Sequence, residues 1–462
     1  MLTLILNLCL ALGRPASAAG VNDALGWSAG PHTGQGTYLL VSDIHFDPFT
    51  DPAVAKNLDA TPPTAWDSVF FQSKRTAFPD YTQDDNWLLW QSFLGAIGRT
   101  GVHYDYVLVM GDYLAHDFEK KYKATIGGGQ KSYEDFVQKN LRYVEHSLSD
   151  HVAGVPIYFA LGNNDSDCGD YALEPGGPFL SFLARDWNTV ASSPSSARTF
   201  RRGGWYEAKL PGKAGRLIAL NDIFWSRRFS PKCSDPDRDP AKEELDWLKV
   251  RLEAAEKAGE KVTLTGHIPP GVNGFRAQCG LPPESYLKPE DQAPLLDLLR
   301  RHAASLRLVF MGHTHFDDFK VLSDQGAPAV GIHLVPSVGP NHGNNPSFQV
   351  GLYRRADGGL LDLATYSLRN LTTTTRGGVK PDWALEYGFK QAYGRDFGLA
   401  GLAAAAQEIR AGGDARSLYE AYYTCRTPSP AALKSEEWIF YSCAQTCFTP
   451  EEYAACACGK AP

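Results

Sequence analysis

Several short apolar runs in this chain each stop at residues able to bind a metal ion or pass a proton. YLLV leads into Ser42-Asp43-Ile44-His45, YVLVM into Gly111-Asp112, and VPIYFAL into Gly162-Asn163-Asn164-Asp165. RLIAL leads into Asn221-Asp222, KVTLT into Gly266-His267, and LRLVFM into Gly312-His313-Thr314-His315. Any one of these reads equally well as a turn with a solvated side chain. Gly and Asn both tolerate left-handed backbone, so GNND alone is ambiguous. His313 and His315 are two apart, which puts both imidazoles on one face of an extended segment. Carboxylate, amide and imidazole donors together suit zinc, iron or manganese, and the lack of cysteine in these motifs excludes a soft thiolate site.

The elements that must position these groups follow from the same pattern. Continuous apolar runs are strands buried on both faces. Between them, DNWLLWQSFLGAIGR, YEDFVQKNLRYVEHSL and AKEELDWLKVRLEAAEKAG carry apolar residues at helical spacing. Strands alternating with helices predict an α/β fold, whose ligands bind beyond the strand ends. From about Lys380 the strand signal stops. GLAGLAAAAQEIRAGG and ARSLYEAYYTC read as helices, and Thr449-Pro450-Glu451-Glu452 offers a capping box. Residues 375–462 are therefore expected to form a small helical, disulfide-tied subdomain, or an extension that wraps the main domain.

Of the 462 residues, 43% are apolar and 21% charged, with a formal net charge of −7. That is an ordinary globular composition with no basic excess, so nucleic acid is not expected as a structural partner. The first eighteen residues, an apolar run followed by Ala16-Ser17-Ala18, read as a secretory signal. The run is too short to span a membrane, and no other of its kind occurs. Eight cysteines lie beyond it, five of them in the C-terminal forty residues, which favours disulfides over a zinc ribbon. A secreted or periplasm-like location and a monomer are expected.

The ordered series Asp-x-His, Gly-Asp, Gly-Asn, Gly-His and Gly-His-x-His resembles the calcineurin-like metallophosphoesterase superfamily over roughly residues 37–350. DIHFDP at 43–48, GDYLAHD at 111–117, GHIPPG at 266–271, GHTHFDDF at 312–319 and GNNPSF at 343–348 look like the acid sphingomyelinase and acid sphingomyelinase-like phosphodiesterase family. The resemblance implies a four-layer α/β/β/α sandwich over residues 37–374. It implies two divalent metals, with zinc preferred and iron or manganese acceptable. Such a pair, about 3.5–4 Å apart, can hold phosphoryl oxygens and turn a bridging water into hydroxide.

Position by position, the resemblance gives Asp43, His45 and His315 to the first metal and Asn163, His267 and His313 to the second, with Asp112 bridging. It also suggests a disulfide between Cys233 and Cys279. Most of that family has His after the metal-binding Asn; here Asn164 stands there. An amide can hydrogen-bond a phosphoryl oxygen but is no general acid. His116, in GDYLAHD, is then the lone candidate acid, with Asn164 orienting substrate. His342 is left between a solvated and a pocket-lining role, and Asn221-Asp222 between a turn and support of the metals. The expected activity is hydrolysis of a phosphodiester, sphingomyelin or another choline-phosphate diester, or of a nucleotide pyrophosphate bond. GNND also occurs in endopolyphosphatases, which keeps that substrate class open. A non-catalytic secreted binding protein that retains the metal site is the alternative outside enzymes.

Overall fold

The computed structural model describes residues 20–152, 154–275, 277–430, 432–434 and 436–459. The expected signal at 1–18 lies outside the described residues. In chain order the strands are β1 (Gln35–Val41), β2 (Tyr104–Val109), β3 (Ile157–Phe159), β4 (Tyr206–Lys209), β5 (Arg216–Ala219) and β6 (Val262–Thr265). They continue with β7 (Leu306–Met311), β8 (Asp318–Asp324), β9 (Ala327–Leu334), β10 (Ser347–Arg354), β11 (Leu360–Leu368) and β12 (Trp383–Gly388). They form two six-stranded sheets, ordered β12-β11-β10-β1-β2-β3 and β4-β5-β6-β7-β9-β8. Within them β1, β2 and β3 run parallel, as do β5, β6, β7 and β9.

Alternation along the strands makes the layers. Tyr38, Leu40, Tyr106 and Leu108 of the first sheet share one core with Leu217, Leu308 and Phe310 of the second. Tyr38 and Phe310 meet edge to face across the seam, with centroids 5.9 Å apart. The intervening residues Leu39, Val41, Val107 and Val109 belong to the core shared with the helices Trp87–Ile97 and Gln130–Val152. On the second sheet, Leu264 and Ile332 join Leu248 and Leu252 of the helix Pro240–Lys257. The architecture is the expected α/β/β/α sandwich.

The C-terminal region corrects one expectation. Strand pairing does not end near Lys380, because β12 adds to β11 at the edge of the first sheet. Beyond it come the helices Leu399–Ala411, against β8 and β9, and Gly413–Tyr422. The helix Pro450–Cys458 opens on the capping box of Thr449 and Glu452. Backbone bonds from Val321 to Gln445 and from Asp317 to Tyr423 fasten this region to the main body.

The pairing of Cys233 with Cys279 is also corrected. Cys233 bonds Cys168 and Cys279 bonds Cys458, while Cys443 bonds Cys456. The loop carrying Cys233 lies along the segment after GNND, where Ser230 N–H donates to Tyr171 O, so its partner comes from that segment. Cys279 instead sits against the final helix, near Ala457 O. Cys425 and Cys447 are buried free thiols.

Glu386 of β12 supplies a pH test. Its carboxylate is buried, with Arg426 Nε 3.8 Å away. Burial, reinforced by the charge of Asp317, pushes its pKa up from 4.5 to about 8. The folded state then holds a proton that the unfolded state releases above 4.5. Stability from this group is full below that value and is lost as pH rises to 8. Melting temperature should fall from pH 5 to 8, and Glu386→Gln should flatten that fall; an unchanged slope in the variant would refute the assignment.

Candidate metal centre

The C-terminal ends of β1, β2, β3, β6 and β7 converge where the two sheets meet. Two overlapping groups of donor atoms, Asp43–His45–His315 and Asp43–Asp112–His267, each lie within 4.8 Å of one another. Asp43, His45 and His267 are fully buried, and Asp112 and His315 nearly so. His267 Nε2 stands 3.3 Å from Asp112 Oδ2 and 3.2 Å from Asn163 Oδ1. His313 is the outlier among the expected ligands. Its ring lies 5.1 Å from that of His267, and its Nε2 is 3.5 Å from Tyr171 Oη.

Local backbone explains the aim of these groups. Asp43, His45, Asp112, His313 and His315 all have φ between 48° and 69°, a left-handed conformation that costs a non-glycine residue energy and clusters at functional sites. The glycines before Asp112 and Asn163 make room. A Cβ on Gly162 would stand 2.1 Å from Asp112 Oδ1, and one on Gly111 would stand 2.4 Å from Gly162 N. The loops are also zipped together, Asp43 N–H to Gly111 O at 3.0 Å and His45 N–H to Asp112 O at 2.9 Å.

The donor set fits divalent cations. His45 Nδ1 donates to Leu114 O at 3.0 Å, which leaves its Nε2 lone pair aimed into the cluster. His267 Nδ1 faces Met110 O at 2.6 Å in the same way. Asn163 donates its Nδ2 to Asp170 Oδ1 at 2.8 Å, so its carbonyl oxygen is the atom presented to His267. Burial lowers the pKa of His45 to about 3 and that of His315 well below 6.5, keeping both rings neutral. Burial also opposes charge on His267, yet Asp112 and Asp43 outweigh it and push its pKa up to about 10. The carboxylates thus draw positive charge into the cluster.

His116 stacks on His45 with centroids 4.1 Å apart, at the solvent edge; its side chain is 40% exposed. Its Nδ1 meets Asp84 Oδ1 at 2.8 Å and Asn341 Nδ2 at 2.8 Å, which turns Nε2 away from both. Asn164 does more than face substrate. Its backbone N–H and its Nδ2 bond the two oxygens of Asp112 at 2.8 and 2.9 Å. One amide hydrogen remains for another acceptor. His342 sits over His315, with ring centroids 4.0 Å apart, so it lines the site.

Four carboxylates matter here that sequence reasoning did not assign or left open. Asp165, the last residue of GNND, accepts from the backbone N–H groups of Asp112, Tyr113, Leu114 and Gly162 at 2.7–3.2 Å. Asp222 accepts from His267 N–H at 2.7 Å and Ile268 N–H at 2.9 Å, supporting the site rather than forming a bare turn. Asp170 and Asp84 orient Asn163 and His116. Only the position of Asp165 and Asp222 beside a motif hinted at their roles.

Two facing mixed sheets with a buried carboxylate–imidazole cluster at their strand ends are the frame of a metallophosphoesterase. The family model for calcineurin-like phosphoesterases matches residues 36–317, and the chain belongs to that family. Among relatives, it is 29% identical to acid sphingomyelinase-like phosphodiesterase 3b of Homo sapiens, over 78% of this chain and 76% of that one. It is 30% identical to sphingomyelin phosphodiesterase of Bos taurus, over 77% of this chain and 55% of that one. It is 29% identical to a cyclic GMP-AMP phosphodiesterase of Rattus norvegicus, over 52% and 53%. A solved dimetal phosphatase from Danio rerio aligns over 76% of this chain and 98% of its own, at 13% identity and a TM-score of 0.42. The chain is a metallophosphoesterase.

Proposed function

We propose that the protein hydrolyses a phosphodiester outside the cytoplasm, with sphingomyelin or another choline-phosphate diester leading and nucleotide pyrophosphate bonds second. The observation that carries this reading is the buried cluster that five strand ends build from Asp43, His45, Asp112, Asn163, His267 and His315, with His116 at its rim. Relatives named as phosphodiesterases support the substrate class, and three disulfides support an oxidising compartment. Asp43, His45, Asp112 and His315 would hold one divalent cation, and Asp112, Asn163, His267 and His313 the other. Zinc suits these donors best, with iron or manganese acceptable. Bound cations supply positive charge that activates water and offsets the charge of the phosphoryl oxygens.

The chain's own groups do the rest. Asp165 and Asp222 fix the loops that carry Asp112 and His267. Asn164 steadies Asp112 and offers its remaining amide hydrogen to a phosphoryl oxygen. Asp84 holds His116 by Nδ1, so that Nε2 delivers a proton to the leaving oxygen. Burial alone would lower the His116 pKa, but its hydrogen bond to Asp84 and that charge outweigh the loss and hold it above 6.5.

Turnover of bis(p-nitrophenyl) phosphate by the purified protein tests this. Activity should vanish on chelation and return with zinc. Turnover of polyphosphate in preference to diesters would favour an endopolyphosphatase. No turnover with any divalent metal would favour a binding protein.

A further inference from the structure

The segment just after GNND, residues 168–171, is both strained and stapled. Tyr171 has φ 52°, a left-handed conformation that a bulky side chain adopts only where its surroundings impose it. Two backbone bonds impose it here. Tyr171 N–H donates to Asn163 O at 2.9 Å, and Tyr171 O accepts from Ser230 N–H at 2.7 Å. Three residues earlier, Cys168 is bonded to Cys233, 65 positions along the chain, so the loop 226–233 cannot leave the segment. From that loop Arg228 reaches back over the Tyr171 ring, its Cζ 4.5 Å from the centroid.

The segment in turn holds one half of the metal centre. Asp170 Oδ1 accepts from Asn163 Nδ2 at 2.8 Å. Tyr171 meets the His313 ring at 90°, with centroids 6.2 Å apart and its Oη 3.5 Å from His313 Nε2. With Nε2 turned to the hydroxyl, Nδ1 is the nitrogen left for a cation. His313 offers no atom to the two tight donor groups around Asp43, and its ring is set instead by those of Tyr171 and Tyr286. The ligands on the other side are fastened differently. The loop of Asp43 and His45 is zipped to Gly111 and Asp112, and His45 Nδ1 faces Leu114 O. Residues 168–171 take no part in those contacts.

We propose that Tyr171 is a positioning residue for the cation assigned to Asp112, Asn163, His267 and His313, and that the Cys168–Cys233 bond keeps it in that role. The inference rests on the two-cation reading above. It makes the two cations separable: loosening this one segment releases the second and leaves the first, whose ligands hang on other loops.

Zinc titration of the metal-free protein against a chelating indicator counts the equivalents bound and the affinity of each. The parent should take two. Tyr171→Phe keeps the ring and removes only Oη. It should weaken one of the two steps about 10-fold or more and leave the other step, and the melting temperature of the metal-free protein, unchanged. The double variant Cys168→Ser/Cys233→Ser should keep one equivalent after dialysis instead of two. A reductant is no substitute for it, because the other two disulfides would open as well. If the double variant does not fold, Tyr171→Phe decides alone. Two steps that weaken together in Tyr171→Phe, or that both stay as in the parent, overturn the proposal, and so does a folded double variant that keeps two equivalents. A parent that takes fewer than two equivalents overturns the two-cation reading and this inference with it.

Discussion

Replacing His116 with alanine should slow hydrolysis of alkyl phosphodiesters about 100-fold or more, and of nitrophenyl esters far less. The contrast follows from what the ring supplies. An alkoxide is a poor leaving group and needs a proton as the bond to phosphorus breaks; nitrophenolate departs unaided. Asn164 occupies the place of the family's usual histidine, and its amide is engaged with Asp112, so no second imidazole stands ready at that position. His342 is the nearest alternative, but its ring lies 6.1 Å from that of His116 and packs on His315. Kinetics on a series of aryl and alkyl esters measure the dependence on leaving group. Equal slowing across the series would remove His116 from the acid role and leave it a structural neighbour of His45.

Asp165→Ala should cost about 3–5 kcal/mol of folding stability, the largest single loss expected around the site. One buried carboxylate there satisfies four backbone N–H groups drawn from two loops. Alanine leaves all four unpaired, away from water. Asp165→Asn keeps one acceptor oxygen and should lose less. Denaturant unfolding of the two variants beside the parent checks the order. A loss below 1 kcal/mol for the alanine variant would mean that the loops are held by their strands alone.

How much of this was legible in sequence depends on the range of the physics. The candidate metal donors are legible because each lies just past a strand, and a buried apolar run ending in Gly-Asp or Gly-His is a local signal. Asp170 and Asp84 are not, since their meaning lies in partners. Asp84 reaches His116 from 32 residues away. Asp170, only 7 residues from Asn163, sits in a loop whose path no local pattern dictates. The strand β12 was missed because WALEYG is half-exposed at a sheet edge and mixes Glu386 into its apolar residues. Disulfides were expected and three are present, but the pairing of Cys233 with Cys279 failed for the same reason as Asp84: pairing is set by which loops meet.

The bond from Cys279 to Cys458 closes a covalent ring, its two ends 179 positions apart. A protease that nicks the chain inside the ring, for instance at the turn around Gly377 and Gly378, frees no fragment. The pieces stay tethered at the wall beside the GHIPP loop until a reductant opens the bond. In a compartment rich in proteases and poor in thiols, the protein could be cut there and still travel as one molecule.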